Sequence, residues 1–143
     1  ATEAVRSVIT GNKSEKPDVI LAKLRDVAKE RFSINLDDNR SDSMDASVCM
    51  LDKKEELLYF SGGLLDLIII RNNNELIEIK GTRCPVGSFP IEPKFELHQV
   101  KLQIGDVIYL STDGFVDQFG GAKGDQKSTK FKKKRFRELL LRI

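Results

Sequence analysis

Hydrophobic residues repeat at helical spacing near both ends of the chain and at strand spacing between them. Residues 17–32 carry apolar side chains every three or four positions, which predicts an amphipathic helix with one face on a core. The same spacing predicts the end of a helix over residues 1–10. It also predicts a C-terminal helix over residues 131–143, with four side chains facing inward: Phe136, Leu139, Leu140 and Ile143.

Between residues 45 and 111 the hydrophobic period changes to two, which is typical of strands. Six strands are predicted, over residues 46–51, 56–61, 64–71, 75–80, 94–101 and 106–111. Because short turns join antiparallel neighbours, we expect the first four to pair in order and the last two to pair with each other. The run 64–71 is apolar on both faces and is predicted to be central. The predicted fold class is therefore α+β, an antiparallel β-sandwich flanked by helices.

Three polar segments interrupt this pattern and are predicted loops. Residues 33–43 contain several aspartates but lack the glycine and the closing glutamate of a calcium loop, so we interpret them as a solvated acidic loop. Residues 81–93 hold three of the four prolines, and residues 118–129 are rich in glycine, lysine and serine.

Composition limits the class of protein. A chain of 143 residues with 40% hydrophobic and 32% charged residues fits one soluble globular domain. No apolar run is long enough to cross a bilayer, and the first residues do not resemble a secretory signal, which favours the cytoplasm. The chain begins without Met, which suggests a fragment or a processed protein.

Few residues could act as a protein nucleophile. Cys49 and Cys84 lack the spacing of a zinc site or a disulfide framework, and His98, the one histidine, lies in an alternating strand pattern. We interpret all three as structural. The basic residues are unevenly placed: six of the 24 lie in residues 130–137, which leaves 18 against 22 acidic residues elsewhere.

One carboxylate stands where a predicted strand ends. In GDVIYLSTDGFVDQFGG, residues 107–110 look like a buried strand, and Asp113 and Gly114 follow it. Asp is a hard oxygen donor that suits Mg²⁺ or Mn²⁺, and glycine leaves room for water; the alternative is a plain turn. We expect Asp113 at the end of a strand of the central sheet, facing the cleft between the two sheets.

This stretch, with KFKKKRFRELLL after it, resembles the SpoIIE-like branch of the metal-dependent serine/threonine protein phosphatases of type 2C. The resemblance implies that Asp113, with Gly114 next to it, is a ligand of a two-metal Mn²⁺ or Mg²⁺ centre. Asp117 is a candidate to assist this centre, although an exposed acidic residue of the turn is the favoured interpretation. The family has an Asp-Gly before the first helix and a further Asp after the last. The resemblance therefore implies one partial domain over residues 1–143, truncated at both ends and inactive alone.

Two departures from the family pattern affect loops. Ser43 replaces the glycine of the family's D-G-M-D, and the hairpin sequence GGLLDLIII lacks its Asn-Pro pair. After the metal strand, residues 115–130 are predicted to form a flexible flap that selects the substrate, with four residues chosen as its contacts: Phe115, Gln118, Gly120 and Gly121.

Three functional hypotheses follow. The first is a phosphoserine/phosphothreonine phosphatase that needs no protein nucleophile; the resemblance implies a phosphorylated anti-sigma-factor antagonist as substrate and an upstream sensor domain, and leaves a homodimer open. The second is a catalytically inactive interaction domain. The third, a nucleic-acid module using residues 130–137, is disfavoured because Phe131 and Phe136 have the spacing of core anchors.

Overall fold

A helix, two three-stranded antiparallel sheets and a second helix form four layers. The computed structural model describes residues 15–32, 43–72, 74–87, 93–120 and 129–143. The helices are α1 (Pro17–Phe32) and α2 (Lys132–Leu140). The predicted α+β antiparallel sandwich flanked by helices is confirmed, and so are both bounds of α1. The predicted helix over residues 1–10 lies outside the described residues, as do residues 33–42 of the predicted acidic loop.

Among the described residues, ten strands lie between the helices, in the order β1 (Ser43–Met44), β2 (Ala46–Asp52), β3 (Leu57–Gly63), β4 (Leu67–Arg71), β5 (Glu75–Ile79), β6 (Val86–Gly87), β7 (His98–Lys101), β8 (Val107–Leu110), β9 (Phe119–Gly120) and β10 (Thr129–Lys130). The first sheet has the order β2-β3-β7 and the second the order β5-β4-β8. Strands β1 and β6 form one short pair, and β9 and β10 another. In the described part of the chain, no helix is long and apolar enough to cross a bilayer.

The buried side chains of the described residues form three clusters, and side chains that alternate between the two faces of β3 and β4 contribute to two of them. Leu58 and Phe60 of β3 meet Leu67 and Ile69 of β4 between the sheets. The other face of β4 packs against α2, while α1 packs on the first sheet. Since β4 is buried on both faces, it is the centre of its sheet, as its apolar run predicts.

Two of the predicted strand pairings are wrong. Strands β7 and β8 do not pair with each other; β7 pairs with β3, and β8 with β4. Strands β3 and β4 are likewise in different sheets, although only three residues separate them. Short connections here carry the chain from one sheet to the other.

The first of these crossings depends on two glycines. A Cβ at Gly62 or at Gly81 would lie 2.2 Å from the backbone oxygen of Leu65, so neither position has room for a side chain. Backbone hydrogen bonds close the crossing: Leu64 N–H donates to the oxygen of Thr82 at 2.9 Å, and Thr82 N–H donates to that of Gly62 at 2.8 Å. Leu64 has a φ of 63°, in the left-handed region. The close approach fixes the segment that leads into β4.

An ion pair holds the second crossing, from β7 to β8. The guanidinium of Arg71, at the end of β4, donates to both oxygens of Asp106, at 3.0 and 2.7 Å, and to the backbone oxygen of Lys101 at 3.0 Å. The Asp106 carboxylate also accepts the N–H of Gln103 at 2.9 Å, and its side chain is only 2% exposed. This bidentate contact ties the start of β8 to β4, its partner strand.

Two burial predictions are corrected. Residues 107–110 do not form a buried strand: Val107 is 44% exposed, Ile108 36% and Leu110 50%, because β8 lies at the edge of its sheet among the described residues. In α2, Phe136 and Leu140 are buried as predicted, but Leu139 is 37% exposed and Ile143 84%. Ile143 lies beyond the end of the helix, which explains its exposure.

Acid is expected to destabilise the protein through Asp106. The hydrogen bonds from Arg71 outweigh the effect of burial and hold the pKa of the Asp106 carboxyl below its ordinary value of 3.8. A pKa that is lower in the folded state contributes stability above the unfolded-state pKa, and this is lost as the pH falls through the folded-state value. Urea midpoints of the wild type should therefore fall more steeply below about pH 4 than those of Asp106→Asn. Parallel midpoint curves for the two proteins would contradict this role.

Candidate metal centre

Asp113 lies three residues beyond the end of β8 and opens a turn. The Asp117 N–H donates to the Asp113 backbone oxygen at 2.9 Å, which closes that turn. The Asp113 side chain is exposed and lines a pocket of about 130 Å³ beside the start of α2. The pocket is also lined by Asp45, Leu64, Leu65, Asp66, Ile68, Glu78, Ser111, Thr112, Val116, Lys133, Phe136 and Arg137.

The pocket differs in position from the cleft that the sequence predicts. Ile68 and Phe136, which line it, belong to the core cluster between the second sheet and α2. The pocket therefore opens on the α2 side of that sheet, not between the two sheets. Asp113 follows β8, which is at the edge of the β5-β4-β8 sheet in the described part of the chain.

Asp45 is a pocket residue that the sequence analysis did not assign to the site. It separates β1 from β2, and its exposed side chain lines the same pocket as Asp113. The available signal was its place directly before a strand, just as Asp113 comes shortly after one.

Four carboxylates line the described pocket, and they fall into two pairs. Asp66 and Glu78 are bonded to basic side chains. Asp45 and Asp113 have no side-chain hydrogen bond or ion pair within the described ranges, so they are the two available to a cation. A hard divalent ion prefers about six oxygen ligands.

The residues present therefore fit part of a metal centre. Among the described residues, no group of three or more His, Cys, Asp or Glu side chains is placed to hold a metal ion. The chemistry of Asp45 and Asp113 suits Mg²⁺ or Mn²⁺. Water or residues outside the described ranges would have to supply the other ligands.

Asp66 lines the pocket and contacts three basic side chains. Its carboxylate lies 3.5 Å from Lys80 Nζ, 3.1 Å from Arg83 Nη2 and 3.2 Å from Lys133 Nζ, and accepts the N–H of Gly81 at 3.1 Å. Burial alone would raise the pKa of the Asp66 carboxyl, but these donors outweigh it and lower the pKa below its ordinary value. Asp66 is therefore an ionised anchor at neutral pH.

Glu78 forms a second anchor for α2. Arg137 Nη2 donates to both of its oxygens, at 2.7 and 2.5 Å, and Lys80 Nζ lies 2.7 Å away. Partial burial would raise the pKa of Glu78, but Arg137 and Lys80 outweigh it and lower the pKa. Together with Lys133 on Asp66, this pair ties the exposed face of α2 to the sheet that carries Asp113.

The residues predicted to surround Asp113 are placed as follows. Gly114 is exposed, and a Cβ there would meet only Thr112 Oγ1, at 3.5 Å, so the glycine is not needed sterically. Asp117 does not line the pocket; its carboxylate lies 3.1 Å from Lys130 Nζ, across the β9–β10 hairpin. The proposed assistance of Asp117 to the metal has no support in this arrangement.

The described ends of the predicted flap are held in place. The Phe115 ring contacts those of Phe131 and Phe136, with centroids 5.4 and 5.2 Å apart. The backbone oxygen of Gln118 accepts the Phe131 N–H at 2.9 Å, and Gly120 pairs with Thr129. Gly121 lies outside the described residues, as does the segment 121–128, so the flexible flap stays a prediction.

Two features weigh against the alternatives to metal chemistry. Phe136 is buried and Phe131 packs against the same core, as predicted, so neither ring is free to stack on a nucleic-acid base. Cys84 is a buried thiol whose Sγ donates to the backbone oxygen of Pro85 at 3.3 Å, and burial raises the pKa of the Cys49 thiol to about 11. Cys49 is therefore protonated at neutral pH and is a poor nucleophile.

Comparison with known proteins agrees with these features. The profile of Stage II sporulation protein E (SpoIIE) matches residues 1–142. The SiaA-PP2C domain of Pseudomonas aeruginosa superimposes with a TM-score of 0.80 and 29% identity, over 97% of this chain and 51% of that one. This chain thus spans about half the length of that structure.

A weaker likeness involves the phosphatase domain of the cell fate determinant SpoIIE from Bacillus subtilis. It has a TM-score of 0.44 and 14% identity, over 80% of this chain and 48% of that one. A search of curated proteins finds no match. On the profile match and the SiaA-PP2C superposition, this chain belongs to the SpoIIE family and has the fold of a PP2C-type phosphatase domain.

Proposed function

We propose that this chain is part of a metal-dependent phosphoserine/phosphothreonine protein phosphatase. The observation that carries the proposal is the Asp113 carboxylate, which follows β8, opens into a pocket and has no side-chain partner among the described residues. Asp45 lines the same pocket. Membership of the SpoIIE family supports the reaction class.

In this proposal Asp113 binds a divalent cation, and Asp45 helps to orient it. A pair of bound Mn²⁺ or Mg²⁺ ions supplies an activated water and neutralises charge on the phosphoryl oxygens. The chain itself contributes ligands and a shaped pocket. Asp66 and Glu78 are held by cations and are not available as ligands, so the two pairs of carboxylates have separate tasks.

The proposed substrate is a phosphorylated regulatory protein of the anti-sigma-factor-antagonist type, dephosphorylated in the cytoplasm under the control of an upstream sensor domain. Family membership supports a phosphoprotein. The β9–β10 pair starts six residues after Asp113, and in this proposal it contacts the substrate. A homodimer is compatible with this arrangement.

Residues 1–143 alone are expected to hydrolyse phosphate esters poorly or not at all. Two described carboxylates hold a hydrated ion weakly, because a hard cation needs about six oxygen ligands. The same ligand count favours the second candidate, an inactive phosphatase-like interaction domain. The two candidates differ in whether the full-length protein turns over substrate when metal is supplied.

Metal removal tests the proposal. The full-length protein is assayed on a phosphoserine protein and on p-nitrophenyl phosphate, first with excess EDTA and then after dialysis into Mn²⁺ or Mg²⁺. We expect turnover at background level with EDTA and restoration by either metal, because the activated water depends on the ion. Turnover that survives chelation would contradict a metal-dependent reaction, and no turnover with either metal would favour the interaction domain.

A further inference from the structure

Positive charge is in excess along one wall of the Asp113 pocket. Four basic side chains contact two carboxylates there: Lys80, Arg83 and Lys133 surround Asp66, and Lys80 and Arg137 meet Glu78. Within this cluster, four cations against two anions leave a surplus of two positive charges, which equals in size the charge of the other two carboxylates of the pocket, Asp45 and Asp113. Lys133 lines the pocket together with Asp113, so this surplus lies beside the candidate metal ligand.

The three cations around Asp66 remain open to a ligand. Their side chains are about half exposed, 50% for Lys80, 54% for Arg83 and 58% for Lys133, whereas the Asp66 side chain is 10% exposed. A lysine ammonium has three N–H donors and an arginine guanidinium five, so one buried carboxylate cannot satisfy them all. Asp66 therefore gathers the cations into one place, and their remaining donors face solvent.

We propose that this basic rim, formed by Lys80, Arg83 and Lys133, binds an acidic segment of the phosphoprotein substrate next to its phosphorylated residue. The inference rests on the proposed function and adds a substrate preference to it. A phosphoryl group directed toward Asp113 brings the neighbouring residues of its chain to the pocket wall that holds Lys133. Aspartate or glutamate side chains there would accept the free donors of the rim.

An acidic polypeptide fits the rim better than a nucleic acid does. The rim has three cations, and Asp66 and Glu78 offset part of their charge, which leaves little for contact with a phosphate backbone. The rings of Phe131 and Phe136, in the basic segment 130–137, are packed on the core and cannot stack on bases. Tighter binding of a nucleic acid than of an acidic peptide would therefore contradict the proposal.

Peptide binding to the full-length protein tests the rim without requiring catalysis. Fluorescence anisotropy is measured in EDTA with four labelled peptides: phosphoserine or serine at the centre, each with an acidic or a neutral flank. We expect the acidic flank to strengthen binding of both peptides in low salt. The variant Arg83→Gln/Lys133→Gln should lose about 10-fold in affinity for the acidic-flank peptides and little for the others.

Two further variants serve as controls. Lys53→Gln/Lys54→Gln removes the same charge from the exposed turn between β2 and β3, in the other sheet, and should bind as the wild type does. Arg83→Lys/Lys133→Arg keeps both cations and should keep the flank preference. Should the double glutamine variant fail to fold, as judged by circular dichroism, Arg83→Gln alone gives the same test with roughly a 3-fold expected loss.

The outcomes separate this inference from the proposed function. No flank preference in the wild type, an equal loss for neutral-flank peptides, an equal loss in the turn control, or tighter binding of a DNA duplex than of the acidic peptides would overturn the rim. If the full-length protein proves inactive with Mn²⁺ and Mg²⁺ but keeps the flank preference, the phosphatase proposal fails and the rim stands as a binding surface.

Discussion

Asp113→Asn is expected to lower the metal-dependent turnover of the full-length protein by at least about 100-fold, for protein and small-molecule substrates alike. Asparagine keeps the size of the side chain and removes the charge that holds a divalent cation. The Asp113 side chain has no hydrogen bond or ion pair within the described ranges, so its replacement should leave the fold unchanged. Turnover is measured over a range of Mn²⁺ concentrations, together with the thermal midpoint.

Asp117→Asn is the matched control for this experiment. It makes the same chemical change four residues later, at a carboxylate that is paired with Lys130 and does not line the pocket. We expect it to keep turnover of p-nitrophenyl phosphate within about 3-fold of the wild type. If Asp113→Asn keeps its full rate at low Mn²⁺, Asp113 is not a ligand and the interaction-domain candidate gains.

Gly81→Ala is expected to destabilise the protein by about 3 kcal/mol or more. The added Cβ would lie 2.2 Å from the Leu65 oxygen and 2.9 Å from that of Gly62, and both are backbone atoms that cannot rotate away. The crossing between β3 and β4 would have to open. A loss of this size is a large part of the 5–15 kcal/mol that typically separates folded from unfolded domains. Urea unfolding of wild type and variant measures it.

Gly114→Ala provides the comparison for this substitution. Its Cβ would meet only Thr112 Oγ1, at 3.5 Å, which is an ordinary contact. We expect its unfolding free energy to stay within about 0.5 kcal/mol of the wild type. Equal stability of Gly81→Ala and Gly114→Ala would show that the crossing can widen at little cost, and would contradict the close approach as a requirement.

The hydrophobic pattern of the sequence predicted the helices and strands better than it predicted which strands pair. The helical spacing over Pro17–Phe32 and the alternation in β2, β3 and β5 depend on each segment's own residues, so they could be recognised from the sequence. The partner strands of β7 and β8 could not be recognised in this way. Which sheet each strand joins is decided by the approach of Gly62 to Gly81 and by the contact of Arg71 with Asp106, and neither is visible in a short window.

The candidate site shows the same division. Asp113 could be predicted because its signal, a carboxylate after an apolar strand within a family motif, is contiguous in sequence. Asp45, Asp66 and Lys133 come from three distant segments, and only the folded chain brings them to one pocket. The role of the basic residues 130–137 could not be decided from the sequence, because the sequence does not show that Lys133 and Arg137 have carboxylate partners beside α2.

The sheet order β5-β4-β8 has a consequence for the sequence of events in folding. Strands β4 and β5 meet across a tight turn, whereas β8 reaches β4 only after the chain has passed through β5, β6 and β7. Closing the longer loop costs more conformational entropy, so the β4–β5 hairpin is expected to form first and β8 to dock late. Asp113 lies three residues beyond the end of β8. The pocket is therefore assembled only at the end of folding, and a chain that is still folding cannot yet bind a cation there.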